Sequence, residues 1–404
     1  MIVLEIILWL AVAAVLVPFG VLLVECLAAL LPGRAPPLAA TTSRPRCAVL
    51  VPAHDEEGGI KATLASILPQ LEPSDRVIVV ADNCTDRTAE VARAAGATVI
   101  ERQDATRRGK GYALDFGVRH LESDPPEVVV FLDADCALGP GTMDHLVRGA
   151  IVSGAPLQAV YLMTPPAGST GTKERLSAFA FQFKNLVRPL GLHRLGLPCL
   201  LTGAGMAFPW ATAQAADLAT GNIVEDMKLG LDLAVGGQPP RLCPAALVTS
   251  ELPSGDKAAK TQRSRWEHGH VQTITKQAPR LFGAGLRQGR LDLLGLALEL
   301  SVPPLSMLFL LWSAAAAAAF GWWLATDALA PLLTLLAVLA AFGLTLFACW
   351  AKFGRQQLPL LALLSAPIYI LWKVPIYLAL VFKPQRAWVR TERTTPKESE
   401  PPPS

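Results

Sequence analysis

The sequence is short of charge. Asp, Glu, Lys and Arg make up only 17% of the 404 residues against 52% hydrophobic, and the mean hydropathy is +0.39. That balance is too apolar for an ordinary water-soluble domain, and the length suits one α/β domain of about 250 residues plus membrane helices. The net charge is only +3, and no basic block with interleaved aromatics occurs, which argues against a nucleic-acid partner. Paired cysteines are missing too. Cys26, Cys47, Cys84, Cys136, Cys199, Cys243 and Cys349 stand singly, with no CxxC or Cys/His spacing. Neither a disulfide framework nor a zinc site is indicated, and scattered thiols fit a reducing, cytosolic domain. GxxxxGK[ST] is absent, as is GxGxxG after the first strand, which disfavours a P-loop enzyme and a dinucleotide-binding one.

Long apolar runs are what the chain does have. Residues 2–31 exceed the ~20 residues that span a bilayer. The run is too long for a cleaved signal peptide and no Lys or Arg precedes it, whereas Arg34, Arg44 and Arg46 follow. We expect an anchor over residues 1–32 with the following domain in the cytoplasm. Further spans are expected near 301–325 and 328–350, within a C-terminal membrane region of 290–383. Segment 358–382 is long enough to cross, but it carries Pro359, Pro367, Pro375 and Lys373. A third crossing would put Lys383, Arg386, Arg390 and Arg393 outside, so a re-entrant or interfacial segment is expected there. Residues 384–404 read as a basic, disordered cytosolic tail.

Between these regions, residues 45–285 alternate β-branched runs with segments of helical spacing. "CAVLVPA", "RVIVVAD", "ATVIER" and "EVVVFLDAD" read as strands of a parallel sheet with crossover helices. Residues 174–197 suit a membrane-surface helix, or an ordinary amphipathic one. Four polar clusters fall at strand ends or in the loops after them: His54 to Glu57, Asp82 with Asn83, the Gly–Lys–Gly loop around Lys110, and Asp133 with Asp135. Each alone reads as a helix cap or a flexible turn. Together they would converge on one crevice at the carboxyl ends of the strands. Two carboxylates flanking a small residue suit Mg²⁺ or Mn²⁺, with diphosphate oxygens completing the shell. Lys110 adds a mobile cation, and Asp82 can accept a hydrogen bond from a base edge.

The ordered set "VPAHDEE", "ADNCTDRT", "RGKGYAL", "DAD", "VED" (224–226) and "QRSRW" (262–266) resembles the family 2 inverting glycosyltransferases of GT-A fold. Within them it is most similar to the membrane branch that includes cellulose, hyaluronan and poly-N-acetylglucosamine synthases. The resemblance covers roughly residues 45–280. It implies an α/β GT-A domain, a Rossmann-like mixed sheet, combined with transmembrane helices. It also implies that Pro52, Asp55, Glu57 and Asp82 lie at the donor nucleotide, and that Asp135, with Asp133, holds the metal. Lys110, Asp133 and Arg265 would meet the donor, and Asp226, beside Glu225, would be the general base. Gly203, Gly205, Gln262 and Trp266 would shape the acceptor end. Val224 stands where the family often has Thr, which puts local hydrogen bonding rather than the carboxylates in question. His268 and His270 are read as a cap or surface feature before metal ligands.

The activity so implied is inverting transfer from a nucleotide sugar, UDP-linked by resemblance with GDP not excluded. The acceptor would be a growing polysaccharide, with an export partner or a homo-oligomer completing a path that few helices could form alone. The alternative is a single addition to a lipid or polyprenyl-phosphate-linked acceptor at the cytoplasmic face. A catalytically silent nucleotide-sugar sensor is a third reading, disfavoured by the intact Asp133, Asp135, Asp226 and Arg265. The expected location is a bacterial-type inner membrane, in contact with lipid.

Overall fold

The structure, a computed structural model, describes residues 1–33, 43–166, 168–169, 171–220, 224–253 and 255–382. The expected tail, 384–404, lies outside them. The sheet begins with β1 (Cys47–Ala53), and β2 (Arg76–Asp82), β3 (Thr98–Arg102) and β4 (Val128–Phe131) follow. The first two sit at the boundaries expected from their Val- and Ile-rich runs, β3 starts one residue after Ala97, and β4 stops at Phe131. β1 pairs in parallel with both β2 and β4. Their side chains feed two cores in alternation: Val49 and Val51 enter one, Ala48 and Leu50 the other. Burial on both faces explains continuous apolar runs without a polar beat.

The sheet is completed by β5 (Ala137–Leu138), β6 (Leu157–Thr164), β7 (Met206–Pro209) and β8 (Arg241–Glu251), in the order β3-β2-β1-β4-β7-β6-β8-β5. β7 runs antiparallel to β4, so the sheet is mixed. The chain leaves β1 toward β2 and β3 on one side, and returns to β4 on the other. Such a reversal opens a crevice at the carboxyl ends of β1 and β4. The helices around the sheet are α1 (Ile2–Leu30), α2 (Ile60–Ile67), α3 (Thr88–Ala94), α4 (Lys110–Leu121), α5 (Thr142–Ser153), α6 (Thr172–Gln182), α7 (Arg188–Arg194), α8 (Trp210–Ala215) and α9 (Glu225–Val235). Beyond β8 come α10 (Asp256–Gln288), α11 (Leu291–Ser301), α12 (Leu305–Thr326), α13 (Ala330–Cys349), α14 (Leu360–Leu363) and α15 (Ala366–Phe382).

Among the described residues, four helices are long and apolar enough to cross a membrane: Ile2–Leu30, Leu305–Thr326, Ala330–Gly354 and Leu360–Ala379. The first three share a core in which Phe342 meets Phe19 at 5.2 Å and Phe309 at 6.1 Å between ring centres. The last is interrupted by a turn at residues 364–365.

Segment 174–197 differs from the membrane-surface expectation. α6 and α7 are joined by a π-helical segment, Phe183–Val187, and the run is wedged between the sheet and α1. Phe179, Phe183, Val187, Arg188 and Leu192 are all buried. Arg188 and Arg194, two of its basic positions, are partnered inside the protein, Arg194 Nη1 donating to the Ala28 carbonyl at 3.0 Å. Arg188 donates to Glu25 Oε2 of α1 at 2.7 Å and to Glu299 of α11. An ion triad therefore ties the N-terminal helix to the α/β domain.

Candidate active site

Strand ends deliver the polar clusters. Past β1, Asp55 takes a left-handed φ of 52°, a region where Asp is enriched. Its Oδ1 accepts from the Thr85 backbone N–H at 2.6 Å and the Thr85 hydroxyl at 3.2 Å. Glu57 Oε2 accepts from the Arg87 backbone N–H at 3.1 Å, and Pro52 lies within β1 opposite Val80. The first cluster is therefore stitched to the loop after β2. At the start of α3, Asp86 Oδ1 accepts from the Thr88 backbone N–H at 2.9 Å. Asp82 closes β2, and its Oδ1 receives Arg102 Nη1 at 2.6 Å and Asn83 Nδ2 at 2.9 Å.

The densest convergence is around Lys110, the first residue of α4. Its ammonium pairs with Asp133 and donates to the Gly203 carbonyl at 2.7 Å. Gly111 follows because the chain crosses α4 there: a Cβ at 111 would lie 2.3 Å from the Leu218 carbonyl. Gly203, at φ 92°, lies against the carboxylate of Asp226 in the first turn of α9. Gly205 donates to the Phe131 carbonyl at 3.0 Å and accepts from Ala159 N–H at 2.8 Å. That fixes the 201–205 loop at the end of β4. Asp133, Asp135 and Cys136 offer ligand atoms all within 4.8 Å of one another. Burial pushes the Cys136 thiol up, which leaves the two carboxylates as the oxygen donors of a hard divalent cation.

Electrostatics couple these groups. Burial opposes the Lys110 charge, but Asp133, Glu225 and Asp226 hold its ammonium above the ordinary lysine range. Burial, then repulsion from Asp226, lifts Glu225 to about 7. Burial also raises Asp226, against the pull of Lys110 and of the Met227 N–H, which donates to its Oδ1 at 2.8 Å.

α10 carries the last motif. Gln262 is buried, and Arg265 and Trp266 are half-buried. Trp266 meets Phe181 at 5.7 Å and Phe181 meets Tyr161 at 5.3 Å between ring centres. Tyr161, in turn, lies behind the Asp133–Asp135 turn, in the field of both carboxylates. His268 and His270 are buried rather than capping or at the surface, and His268 Nε2 lies 3.0 Å from the Ile376 carbonyl oxygen.

A family model described as "Glycosyltransferase like family 2" matches residues 45–269, more than half of the chain. The chain belongs to that family. It is 42% identical over 90 residues to 4,4'-diaponeurosporenoate glycosyltransferase of Staphylococcus aureus, covering 22% of this chain and 23% of that protein. It is 25% identical over 260 residues to the probable glycosyltransferase YdaM of Bacillus subtilis, covering 59% and 58%. It therefore spans less than two thirds of the length of these curated relatives. Among solved structures, the mannosyltransferase PcManGT from Pyrobaculum calidifontis, in complex with GDP-Man and Mn²⁺, has a TM-score of 0.57. That likeness, at 21% identity, covers 91% of this chain and 99% of the other, and it speaks for a shared GT-A-like architecture.

Within this family 2 glycosyltransferase, sequence reasoning missed four residues. Arg102 ends β3 and holds Asp82, which the strand-final Arg of "ATVIER" signalled only weakly. Tyr161 and Phe181 join the aspartate turn to Trp266, and nothing in their local sequence marks them. Lys184, in the π-helical segment, lies in the field of Asp226 and is lowered by burial and by Arg188. π-Helical turns recur at functional sites.

Proposed function

We propose that this chain is a membrane-bound inverting glycosyltransferase that moves a sugar from a nucleotide-sugar donor to an acceptor hydroxyl. One observation carries the reading: Asp133, Lys110, Gly203 and Asp226 meet at the carboxyl edge of a GT-A-like sheet. Asp135 and Asp133 would hold Mg²⁺ or Mn²⁺, which supplies charge neutralisation for the departing diphosphate. Lys110 and Arg265 add positive charge at the same oxygens. Asp82, fixed by Arg102, with Asp55 and Glu57, frames the nucleotide end. Asp226 takes the proton of the acceptor hydroxyl as its oxygen bonds to the anomeric carbon and the carbon–phosphate-oxygen bond breaks. Such positioned proton transfer typically contributes about 10²–10⁴-fold. Attack from the face opposite the diphosphate inverts the centre, and no protein nucleophile is required.

Two acceptor classes fit. Phe19, Phe309 and Phe342 pack together between the first three spans, which favours one addition to a lipid-linked acceptor over a channel within a single chain. The QxxRW motif at Gln262, Arg265 and Trp266 favours extension of a polysaccharide, which would need an export partner or a second copy. A UDP-sugar is our preferred donor, with a cytoplasmic catalytic face on a bacterial inner membrane.

The experiment incubates purified protein with UDP- and GDP-sugars, Mg²⁺ or Mn²⁺, and extracted membrane lipid, following nucleotide release and product mass together. One inverted sugar per lipid supports the first class and a ladder of masses the second. Release that persists unchanged in Asp226→Asn removes the assigned base.

A further inference from the structure

The segment after Leu358 has two unlike faces. On the inner face the Tyr369 and Trp372 rings stack at 6.0 Å. The Arg263 guanidinium lies 5.6 Å and 5.1 Å from their centres and donates to the Ser177 hydroxyl of α6. That hydroxyl donates to the Lys173 carbonyl at 2.7 Å, and its oxygen lies 3.3 Å from the Tyr369 hydroxyl. Lys173 Nζ sits 4.2 Å from the Trp372 ring centre. One turn further along α10, Glu267 pairs with Lys373, both nearly buried, and His268 meets Ile376. Positions 263 and 267 share one face of α10 at helical spacing, and Gln262 and Trp266 share the neighbouring face. The helix that carries QxxRW is thus gripped by α15 on one side while it serves the site on the other.

The outer face is a stripe of Leu361, Leu364, Ile368, Leu371 and Leu378, each between 53% and 78% exposed. The stripe is continuous with a spanning surface, because α15 packs on α12, whose Leu311, Phe320 and Leu324 are exposed as well. Lys383, Arg386, Arg390 and Arg393 follow in the sequence, a charge pattern that complements anionic headgroups. Apolar side chains in a row beside a membrane span, followed by four cations, fit acyl chains under a phosphate layer.

We propose that α15 is a bilayer-contact helix that orders the QxxRW segment. Acyl chains of an anionic bilayer hold the outer stripe. The Arg263 clamp and the Glu267–Lys373 pair pass that seating to Gln262, Arg265 and Trp266. Membrane contact thereby shapes the acceptor end. The functional consequence rests on the reading of α10 as that end, so the test reads order rather than transfer, and its failure is separate from a failure of the proposed activity.

The full chain is placed in vesicles of phosphatidylethanolamine and phosphatidylglycerol, and amide hydrogen exchange is followed over residues 260–276. The native protein is compared with Ile368→Glu/Leu371→Glu and with Arg263→Ala. Both variants should exchange about tenfold faster in this segment, with β1, β2 and β4 unchanged. If those strands also loosen, Leu378→Ser serves as the milder stripe variant, with the same acceleration expected at smaller size. Phosphatidylglycerol carrying a diazirine in its acyl chain should label the native protein between residues 361 and 378. Exchange in the folded stripe variant within twofold of native would overturn the coupling, and absence of label would overturn the lipid contact. Protection that instead scales with protein concentration would assign the stripe to a second copy and overturn the proposal.

Discussion

Gly203 leaves no room for a side chain against Asp226. A methyl group at residue 203 would lie 2.9 Å from Asp226 Oδ2 and 3.2 Å from Lys110 Nζ. The glycine lets one loop touch the carboxylate and the lysine together while its own carbonyl receives the ammonium. Gly203→Ala should therefore displace Asp226, and it also places an alanine at φ 92°. Sugar transfer should fall about 10²-fold, as misplacement of a reacting group by an ångström does. The positive φ should cost about 1–3 kcal/mol of stability. Transfer within a few-fold of native, in the folded variant, would break the link between this loop and the base.

Lys110 is the cation that restrains three carboxylates, and it lowers both Glu225 and Asp226. Removing it in Lys110→Met should raise the acidic limb of the transfer-rate profile by roughly one pH unit. Rates across pH 5–9 with saturating donor would read this, and a downward move or a fixed limb would contradict it.

Glu225 rises from an ordinary 4.5 to about 7 in the folded chain, chiefly by burial. A carboxyl that holds its proton more tightly when folded favours the fold below the unfolded value and loses that advantage as pH rises through about 7. Glu225→Gln should match native stability near pH 4 and exceed it near pH 8, by roughly 1–3 kcal/mol. Thermal unfolding in detergent at the two pH values tests the sign.

Arg188 stands between Glu25 and Glu299, all three nearly fully buried. Truncation leaves two buried carboxylates facing each other, and breaking such a site costs about 3–5 kcal/mol. Arg188→Ala should unfold well below the native temperature. Arg188→Met with Glu25→Gln and Glu299→Gln should recover most of the loss, because neutral partners no longer repel. A single variant as stable as native would mean that the triad contributes little.

The legibility of this chain varied with how local its signals were. β1 and β2 could be bounded to the residue because a strand buried on both faces needs an unbroken apolar run, and both end where polar residues begin. Asp133 and Asp135 declared themselves in the same way, as charges at the end of a buried strand. The segment 174–197 suits either a membrane-surface or an ordinary amphipathic helix by its own pattern, because the partners of Arg188 and Arg194 lie more than a hundred residues away. Arg188 finds its partners only when α1 and α11 place Glu25 and Glu299 against it. His268 and His270 were misread for the same reason, since α15 is what buries His268.

The sequence by itself determined the first four strands, the strand-end carboxylates and the apolar lengths, all of which follow from the nearest few residues. It also placed Gly203 and Asp226 in order, though with 22 residues between them. Only the tertiary structure decided that the two touch, that Arg102 fixes Asp82, and that an aromatic path joins Tyr161 to Trp266. Those contacts depend on the antiparallel pairing of β7 with β4 and the docking of α10, geometry that no local pattern of side chains encodes.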